Sequence, residues 1–427
     1  MKSSSKTYYV SQARGSDSND GLSESTAFAT LHRINVLHLM PGDSVLLERG
    51  SVFENQYLHI TDSGDENAPI TIAAFGEGEL PVIAAQGQGI WYQDYGCELD
   101  SRTHTYRGYV SSAVLLYDAE YIRLEDIEIT NEGGHMAESY SQGDRMCRTG
   151  VAVVAKNKGT RHSLHLSGLY IHDVYGNVYD KHMNNGGIYM TALQPDDETQ
   201  TGVARYEDVS IVGCFLQRVS RWGIAVGYTY AHEHFTGGQL DDSLFYKYGH
   251  IDIEICDNYV KEIGGDGITV MYCLEPQVHH NMADTVALDM NDRVYTHAGD
   301  RGGKLAAGIW PWKCKGAEFL YNEVVDTRLN QDGMAYDADS GDGTIYEGNY
   351  SRCNEGGCIM FCMDECVNSI FRENVSHDDL TAIITAAGNP LAYVGFNEFT
   401  YRRSLPLIRE YEDEGELELE DNELVDL

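Results

Sequence analysis

The stretch that decides the fold is residues 308–360, which read GIWPWKCKGAEFLYNEVVDTRLNQDGMAYDADSGDGTIYEGNYSRCNEGGCIM. Three short alternating strands in it each follow a glycine, at Gly308, Gly333 and Gly357, which are 25 and 24 residues apart. Earlier strands of the same kind follow Gly187, Gly223 and Gly267. A fixed period with short strands in every repeat predicts stacked β coils that each pack only on their neighbours.

A second strand of each repeat begins at an asparagine. The recurrent residues are Asn258, Asn322, Asn349, Asn374, Asn397 and Asn422, and from Asn322 onward the intervals are 27, 25, 23 and 25 residues. Equivalent residues of adjacent coils in a parallel ladder lie ~4.8 Å apart, so stacked asparagines can hydrogen-bond to one another. We therefore expect a structural asparagine ladder and an all-β solenoid.

The repeats extend over most of the chain. We expect one domain, residues 1–427, with an N-terminal capping region at 1–60 and coils from 61 to 427. Five stretches interrupt the period, near 86–112, 133–149, 193–205, 229–249 and 274–306. Loops inserted on a solenoid commonly build the walls of its binding face, so these loops are predicted to form a substrate pocket.

The composition limits the classes of molecule that the chain is expected to bind. The chain has 30 Lys and Arg against 67 Asp and Glu, a net charge of −37, which disfavours nucleic acid and anionic lipid surfaces. No signal peptide and no apolar run long enough to span a bilayer is visible, so we expect a soluble chain without membrane insertion. The ten cysteines are too dilute for a disulfide scaffold, and we interpret them as buried thiols rather than metal ligands.

Alternation along the strands separates core positions from outward ones. The first and third residues after each glycine share the core face, and Trp310, Trp312, Asp337 and Asp339 then point outward. Residues 332–342 hold four aspartates, with Asp332 just before its glycine. Paired carboxylates are what glycoside hydrolysis needs, and aromatic faces beside them can stack on sugar rings. The sequence therefore predicts an acidic sugar-binding groove here.

Other residues extend this predicted groove. Asp364 ends the strand of the next coil, and Trp222 and Asp266 precede the glycines of earlier coils, the position that Asp332 holds in its own. Asp337 and Tyr336 are further substrate-binding candidates. Calcium is the competing interpretation of the aspartates, although their spacing does not fit an EF-hand loop, and we expect no cofactor and no metal.

Four segments also resemble a known family. They are residues 8–31, YYVSQARGSDSNDGLSESTAFATL, then GIWPWKC at 308–314, YNEVVDTRLNQDGMAYDAD at 321–339 and NYSRCNEGGCIMFC at 349–362. The chain resembles the right-handed β-helix glycoside hydrolases, most closely the lacto-N-biosidases of glycoside hydrolase family 136. Two aspartates seven residues apart, after a coil with two tryptophans, are the most specific part of the resemblance.

The resemblance implies a fold, a reaction and a partner. It implies a right-handed parallel β-helix and a retaining enzyme that releases lacto-N-biose from lacto-N-tetraose. Asp332 would be the general acid/base and Asp339 the nucleophile, with Asp364, Trp312 and Trp310 holding sugar. It also implies a chaperone-like partner domain or subunit, and an extracellular or cell-surface location rather than a cytoplasmic one.

Three rival functions stay open on the residues alone. The first is another β-helix glycosidase, such as a β-xylosidase. The second is a calcium-dependent polysaccharide lyase or epimerase, which would need Lys or Arg beside bound calcium. The third is a solenoid that binds glycan without turnover. If Asp332 and Asp339 were dispensable, Asp337 and Asp364 would be the alternative pair.

Overall fold

A computed structural model describes residues 5–99, 104–133, 146–292, 294, 304–410 and 414–427. Within these ranges the chain is nearly all β, and its strands form two sheets, of 25 and 12 strands. Parts of the loops predicted near 86–112, 133–149 and 274–306 lie outside the described residues. No helix in the described ranges combines the length and apolar character needed to cross a membrane.

The smaller sheet consists of one short strand from each of twelve successive repeats. Its strands are Val52–Glu54, Val82–Ala84, Glu128–Asn131, Tyr170–Val174, Phe215–Val219, Tyr259–Ile263, Met282–Asp284, Glu323–Val325, Tyr350–Arg352, Val375–His377, Glu398–Tyr401 and Glu423–Asp426. Every pairing between these neighbours is parallel.

The larger sheet takes its strands from the rest of each repeat. They are Thr7–Val10, Ser44–Glu48, Leu58–Ile60, Ile70–Phe75, Ile90–Asp94, Arg107–Tyr117, Ile122–Glu125, Cys147–Ala155, Thr160–Ser167, Gly186–Ala192, Arg205–Val212, Trp222–Thr229, His250–Cys256, Asp266–Met271, Cys273–Leu274, Gln277–His279, Ile309–Lys315, Glu318–Leu320, Met334–Asp342, Ile345–Glu347, Gly357–Arg372, Ile384–Ala387, Leu391–Gly395, Ile408–Glu410 and Leu417–Glu420. Helical elements are short: Leu31–Asn35, Glu198–Thr201 and Asp242–Tyr248 are α-helices, and Glu24–Thr26 and His232–His234 are 3-10 turns.

Equivalent strands of successive repeats pair in register. Ile268 lies beside Ile309, Ile309 beside Tyr336, Tyr336 beside Ile359 and Ile359 beside Ile384. These side chains are buried and belong to one continuous hydrophobic core. Among the described strand pairs only Ile90–Asp94 with Arg107–Tyr117 is antiparallel. The predicted parallel pairing of equivalent strands is therefore confirmed.

The predicted asparagine ladder is also confirmed. Each Nδ2 donates to the Oδ1 of the next asparagine at 2.8–3.1 Å, from Asn258 through Asn281, Asn322, Asn349, Asn374 and Asn397 to Asn422. Asn281, which the sequence analysis omitted, completes the series. The ladder satisfies polar groups buried at one corner of the stack, where unpaired groups would be costly.

Two repeats were aligned wrongly from the sequence, since Gly357 also lies opposite Met334 and not opposite Gly333. The glycine pattern places Gly333 opposite Gly308, but Ile309 pairs with Tyr336, so Gly308 lies opposite Ala335. Met334 consequently leaves the core position assigned to it and packs outside the main core, with Ala307 and Met360. Ala335, which the alternation directs outward, lies buried in the main core beside Tyr336. From Tyr336 onward the alternation holds, so Ala338 is buried in the core and Asp337 and Asp339 project away from it.

Candidate active site

A pocket lies against the strands Ile309–Lys315 and Met334–Asp342. Its lining brings together residues that are far apart in sequence: Lys181, Arg221, Trp222, Tyr228, Asp266, Leu305, Ala306, Ala307, Trp310, Asp332, Asp337 and Asp339. Six of the nine residues predicted to act in catalysis or substrate binding are among them. A concave site with a few convergent polar groups is the usual form of a ligand pocket.

Three carboxyl groups enter this pocket from one segment. Asp337 and Asp339 are on the same face of their strand because residues two apart in a strand project to one side. Asp332 comes from the bend before the strand, where Gly333 has φ +84° and its amide donates to the Ala306 carbonyl at 3.0 Å. A side chain at Gly333 would be strained at that φ, so glycine permits the bend that brings Asp332 to the pocket.

Burial raises the pKa of all three carboxyls. The pKa of Asp332 rises to about 7, because of burial first and the charge of Asp339 second. The pKa of Asp339 rises to about 6 through burial, opposed by the Ser340 hydroxyl, which donates to its Oδ1 at 3.1 Å. Burial and both neighbouring carboxylates raise the pKa of Asp337 well above its usual value. The mutual effects place the three groups within electrostatic reach of one another.

Asp337 differs from the other two carboxyls in its burial. Its side chain is 4% exposed, and its Oδ1 has no hydrogen-bond partner in the structure. A carboxylate anion in such a place would be strongly destabilised, whereas the protonated acid is tolerated. Burial therefore favours the protonated form of Asp337 more strongly than that of Asp332 or Asp339.

Two basic residues place positive charge beside the carboxyl groups of the pocket. The positive charge of Lys181 lowers the pKa of both Asp332 and Asp339, and it lines the same pocket. Arg221 is 1% exposed, and its Nη2 lies 3.3 Å from Asp266 Oδ2. Charges inside a partly desolvated pocket act strongly on each other, so these cations help keep a carboxylate ionised there.

Asp266 holds the pocket wall rather than an open binding position. Its Oδ1 accepts from the Ala307 amide and from the Trp310 indole Nε1, each at 3.0 Å, and its Oδ2 faces Arg221. These contacts give Asp266 a positioning role in the pocket wall, and its direct contact with substrate stays a prediction. Asp266 fixes the plane of the Trp310 ring and the path of the chain at Ala307.

The tryptophans differ in how they reach the pocket. Trp310 is half-buried and lines it, whereas Trp222 is 1% exposed and its Nε1 donates to the Lys181 carbonyl at 3.1 Å. Trp312 does not appear in the lining. Its ring packs on Tyr228 and Tyr272, with centroid distances of 5.3 and 5.5 Å. Trp310 is thus the tryptophan best placed to stack on a sugar.

Two predicted site residues need correction. Tyr336 lies fully buried in the core, with its hydroxyl 2.7 Å from the Tyr350 carbonyl, because its strand position faces inward. Asp364 is exposed in an irregular part of its strand, and Cys362, not Asp364, pairs with Asp339. Asp364 therefore lies two residues further along its strand than the residue opposite Asp339, and it is not among the residues that line the pocket.

Several lining residues escaped the sequence analysis. Lys181 and Ala307 come from segments without strand periodicity, so no repeat position pointed to them, whereas Leu305 and Ala306 lie in the loop near 274–306 that was predicted to build the pocket. Tyr228 sits late in the Trp222–Thr229 strand. Arg221 did carry a signal, because a cation directly before a buried strand needs a partner, and Asp266 in the paired repeat supplies it.

Known proteins resemble this chain closely. The chain is 58% identical to a GH136 lacto-N-biosidase from Eubacterium ramulus, with a TM-score of 0.95 over 99% of this chain and 68% of that one. The native and selenomethionine crystal structures of that protein give the same values. No protein-family model matches.

A second relative is a lacto-N-biosidase of Bifidobacterium longum subsp. longum. It is 42% identical over 91% of this chain, and the chain spans 27% of that relative's length. The similarity therefore covers nearly all of this chain but only about a quarter of the larger protein.

Proposed function

This chain belongs to glycoside hydrolase family 136, and on that premise we propose that it releases lacto-N-biose from the non-reducing end of lacto-N-tetraose-type oligosaccharides. The relatives named above are lacto-N-biosidases, which supports this substrate. The observation that carries the proposal is the convergence of Asp332, Asp337 and Asp339 with Trp310 in one pocket.

We propose a retaining mechanism with two aspartates in distinct roles. Asp332, with the higher pKa of the pair, donates its proton to the glycosidic oxygen as the bond to the leaving lactose breaks. Asp339, the more acidic of the two, attacks the anomeric carbon and forms a covalent glycosyl ester. Asp332 then removes a proton from water, which attacks the ester and releases the disaccharide with its original anomeric configuration.

The remaining pocket residues orient the sugar in this proposal. Trp310 supplies an aromatic face, held by its hydrogen bond to Asp266. Asp337, protonated, donates a hydrogen bond to a sugar oxygen or to a neighbouring carboxylate. Lys181 stabilises the negative charge of Asp339 between turnovers. Hydrolysis by this set needs no cofactor, and unchanged activity after exhaustive treatment with a chelator would agree with that.

The decisive experiment is product analysis with lacto-N-tetraose. Wild type should yield lactose and a disaccharide, whereas Asp332→Asn and Asp339→Asn should each lower kcat/KM by at least ~10³-fold, since each loses a chemical group of the transition state. Asp252→Asn is the matched control, because Asp252 is exposed and its φ of +54° suits asparagine. Substantial activity in both pocket variants would overturn the assignment.

Stereochemistry tests the retaining step separately. Proton NMR during early hydrolysis should show the β anomer of the released disaccharide first. If the α anomer appeared first, the mechanism would be direct attack by water without a covalent intermediate. The substrate assignment would still stand.

We further propose that the parallel sheets wind as a right-handed parallel β-helix. The support is the pairing of each strand with its equivalent in the next repeat, and right-handedness is the rule for parallel β crossovers. A chaperone-like partner for folding is proposed from the family resemblance alone. Equal soluble yield with and without a co-expressed partner would remove that idea.

A further inference from the structure

A second group of functional side chains lies away from the pocket, on the strands His250–Cys256 and Gln277–His279. These strands are neighbours in the larger sheet, and Cys256 pairs directly with His279. Neither strand contributes a residue to the lining of the pocket. The group is therefore separate from the proposed glycosidase chemistry.

Three potential metal ligands converge there. A carboxylate oxygen of Glu254, the thiol of Cys256 and a ring nitrogen of His279 all lie within 4.8 Å of one another. Glu254 and Cys256 share a face because they are two residues apart in a strand, and the parallel neighbour brings His279 beside them. Ile253 and Ile255, on the other face, fill the core and fix the strand.

The orientation of His279 favours ligation. Its Nε2 lies 3.4 Å from Glu254 Oε1, and its Nδ1 lies 3.0 Å from Nδ1 of His280. A metal-binding histidine commonly donates its other ring N–H to an acceptor, which fixes the tautomer. Nδ1 of His280 can accept the hydrogen bond from the Nδ1–H of His279. The lone pair of His279 then lies on Nε2, which faces Glu254. A cation between them would remove the repulsion between that lone pair and the carboxylate.

We propose that Glu254, Cys256 and His279 form a binding site for a divalent transition metal, with Zn²⁺ as the best match. Sulfur, nitrogen and oxygen ligands together suit zinc better than calcium or magnesium, which prefer oxygen. Glu254 is about half exposed, with 51% of its side chain accessible, so water can complete a tetrahedral set. The metal links two successive repeats where their strands end.

Binding changes the protonation of the thiol. Burial raises the pKa of Cys256 to about 12, and the metal binds the thiolate, so one proton is released when the ion enters. The proton goes to the buffer, and no redox step is involved.

Metal content after dialysis tests the proposal. The full chain without an affinity tag, stripped with chelator and then dialysed against zinc chloride and against buffer, should retain one zinc per chain by mass spectrometry of the metal. Cys256→Ser and His279→Ala should each lose it. Cys353→Ser is the matched control, since Cys353 is a free, half-buried cysteine that is not in the cluster.

Cobalt provides a second measurement that identifies the ligands. Substitution with Co²⁺ should give a thiolate-to-cobalt charge-transfer band and the intense visible bands of tetrahedral cobalt, both absent in Cys256→Ser. Glu254→Gln removes an exposed carboxylate without disturbing the core, so it remains informative if the other variants fail to fold, and it should weaken zinc binding at least tenfold. No retained zinc in wild type, or zinc that persists in all three variants, would overturn the site.

Discussion

Replacing Asn349 with alanine should destabilise the stack by an amount that its hydrogen bonds predict. The side chain is 1% exposed and makes four bonds. Its Oδ1 accepts from the backbone amide of Asn322 at 2.8 Å and from the Asn322 side chain at 3.1 Å. Its Nδ2 donates to the Phe319 carbonyl at 2.8 Å and to Asn374 Oδ1 at 2.9 Å. Alanine removes all four bonds, although Asn374 Oδ1 keeps the bond from the backbone amide of residue 349 and Asn322 Nδ2 keeps its bond to the Val278 carbonyl.

The expected decrease in the free energy of unfolding follows from those four hydrogen bonds. At ~0.5–1.5 kcal/mol net for each of four bonds, the expected cost is roughly 2–6 kcal/mol in the free energy of unfolding. Equilibrium unfolding in guanidinium, followed by circular dichroism, measures it. Asn422→Ala is the internal comparison, because Asn422 ends the ladder, is half-buried and can exchange its lost bonds for water. A loss under ~0.5 kcal/mol for Asn349→Ala, or one no greater than for Asn422→Ala, would refute the reasoning.

The remaining predictions concern the charges of the pocket. The pH profile of kcat/KM should be bell-shaped: activity should fall below about pH 6 as Asp339 is protonated and above about pH 7 as Asp332 loses its proton. Because the charge of Lys181 lowers the pKa of Asp339, Lys181→Met should move the acid limb of this profile to higher pH in the same rate assay. Asp337→Asn should keep more activity with lacto-N-tetraose than Asp332→Asn, since asparagine resembles a neutral acid; equal loss in both would contradict a protonated Asp337. Because folding raises the pKa of Asp332 from 3.8 to about 7, its stabilising contribution is present below pH 3.8 and is lost as pH rises through 7. Asp332→Asn should therefore raise Tm at pH 7 but not at pH 4, as thermal unfolding at both values would show.

The repeats in the sequence predicted the features that depend only on residue spacing within and between strands. The asparagine spacing gave the ladder because each asparagine meets the next at a repeated corner, independent of any loop. The outward direction of Asp337 and Asp339 followed from strand alternation. Asp332 was recognisable because a glycine follows it and lets the chain bend.

Other features depend on contacts that no repeat encodes. The two-residue error at Gly308 arose because a glycine pattern does not fix register, which the pairing of Ile309 with Tyr336 decides. Asp364 was misplaced because its strand is irregular after Cys362. Lys181 reaches the pocket from a segment without period, and only the folded chain shows that its charge acts on Asp339.

The stacking of strands also limits how this pocket can evolve. The strand bearing Trp310 and the strand bearing Asp337 and Asp339 are direct neighbours, so their backbones are one interstrand step of ~4.8 Å apart. Changing that distance along the sheet requires gaining or losing an entire repeat, such as the 25 residues between Asn349 and Asn374. The length of substrate that fits along this axis can therefore change during evolution only by whole repeats, whereas loops such as the one carrying Lys181 can change one residue at a time.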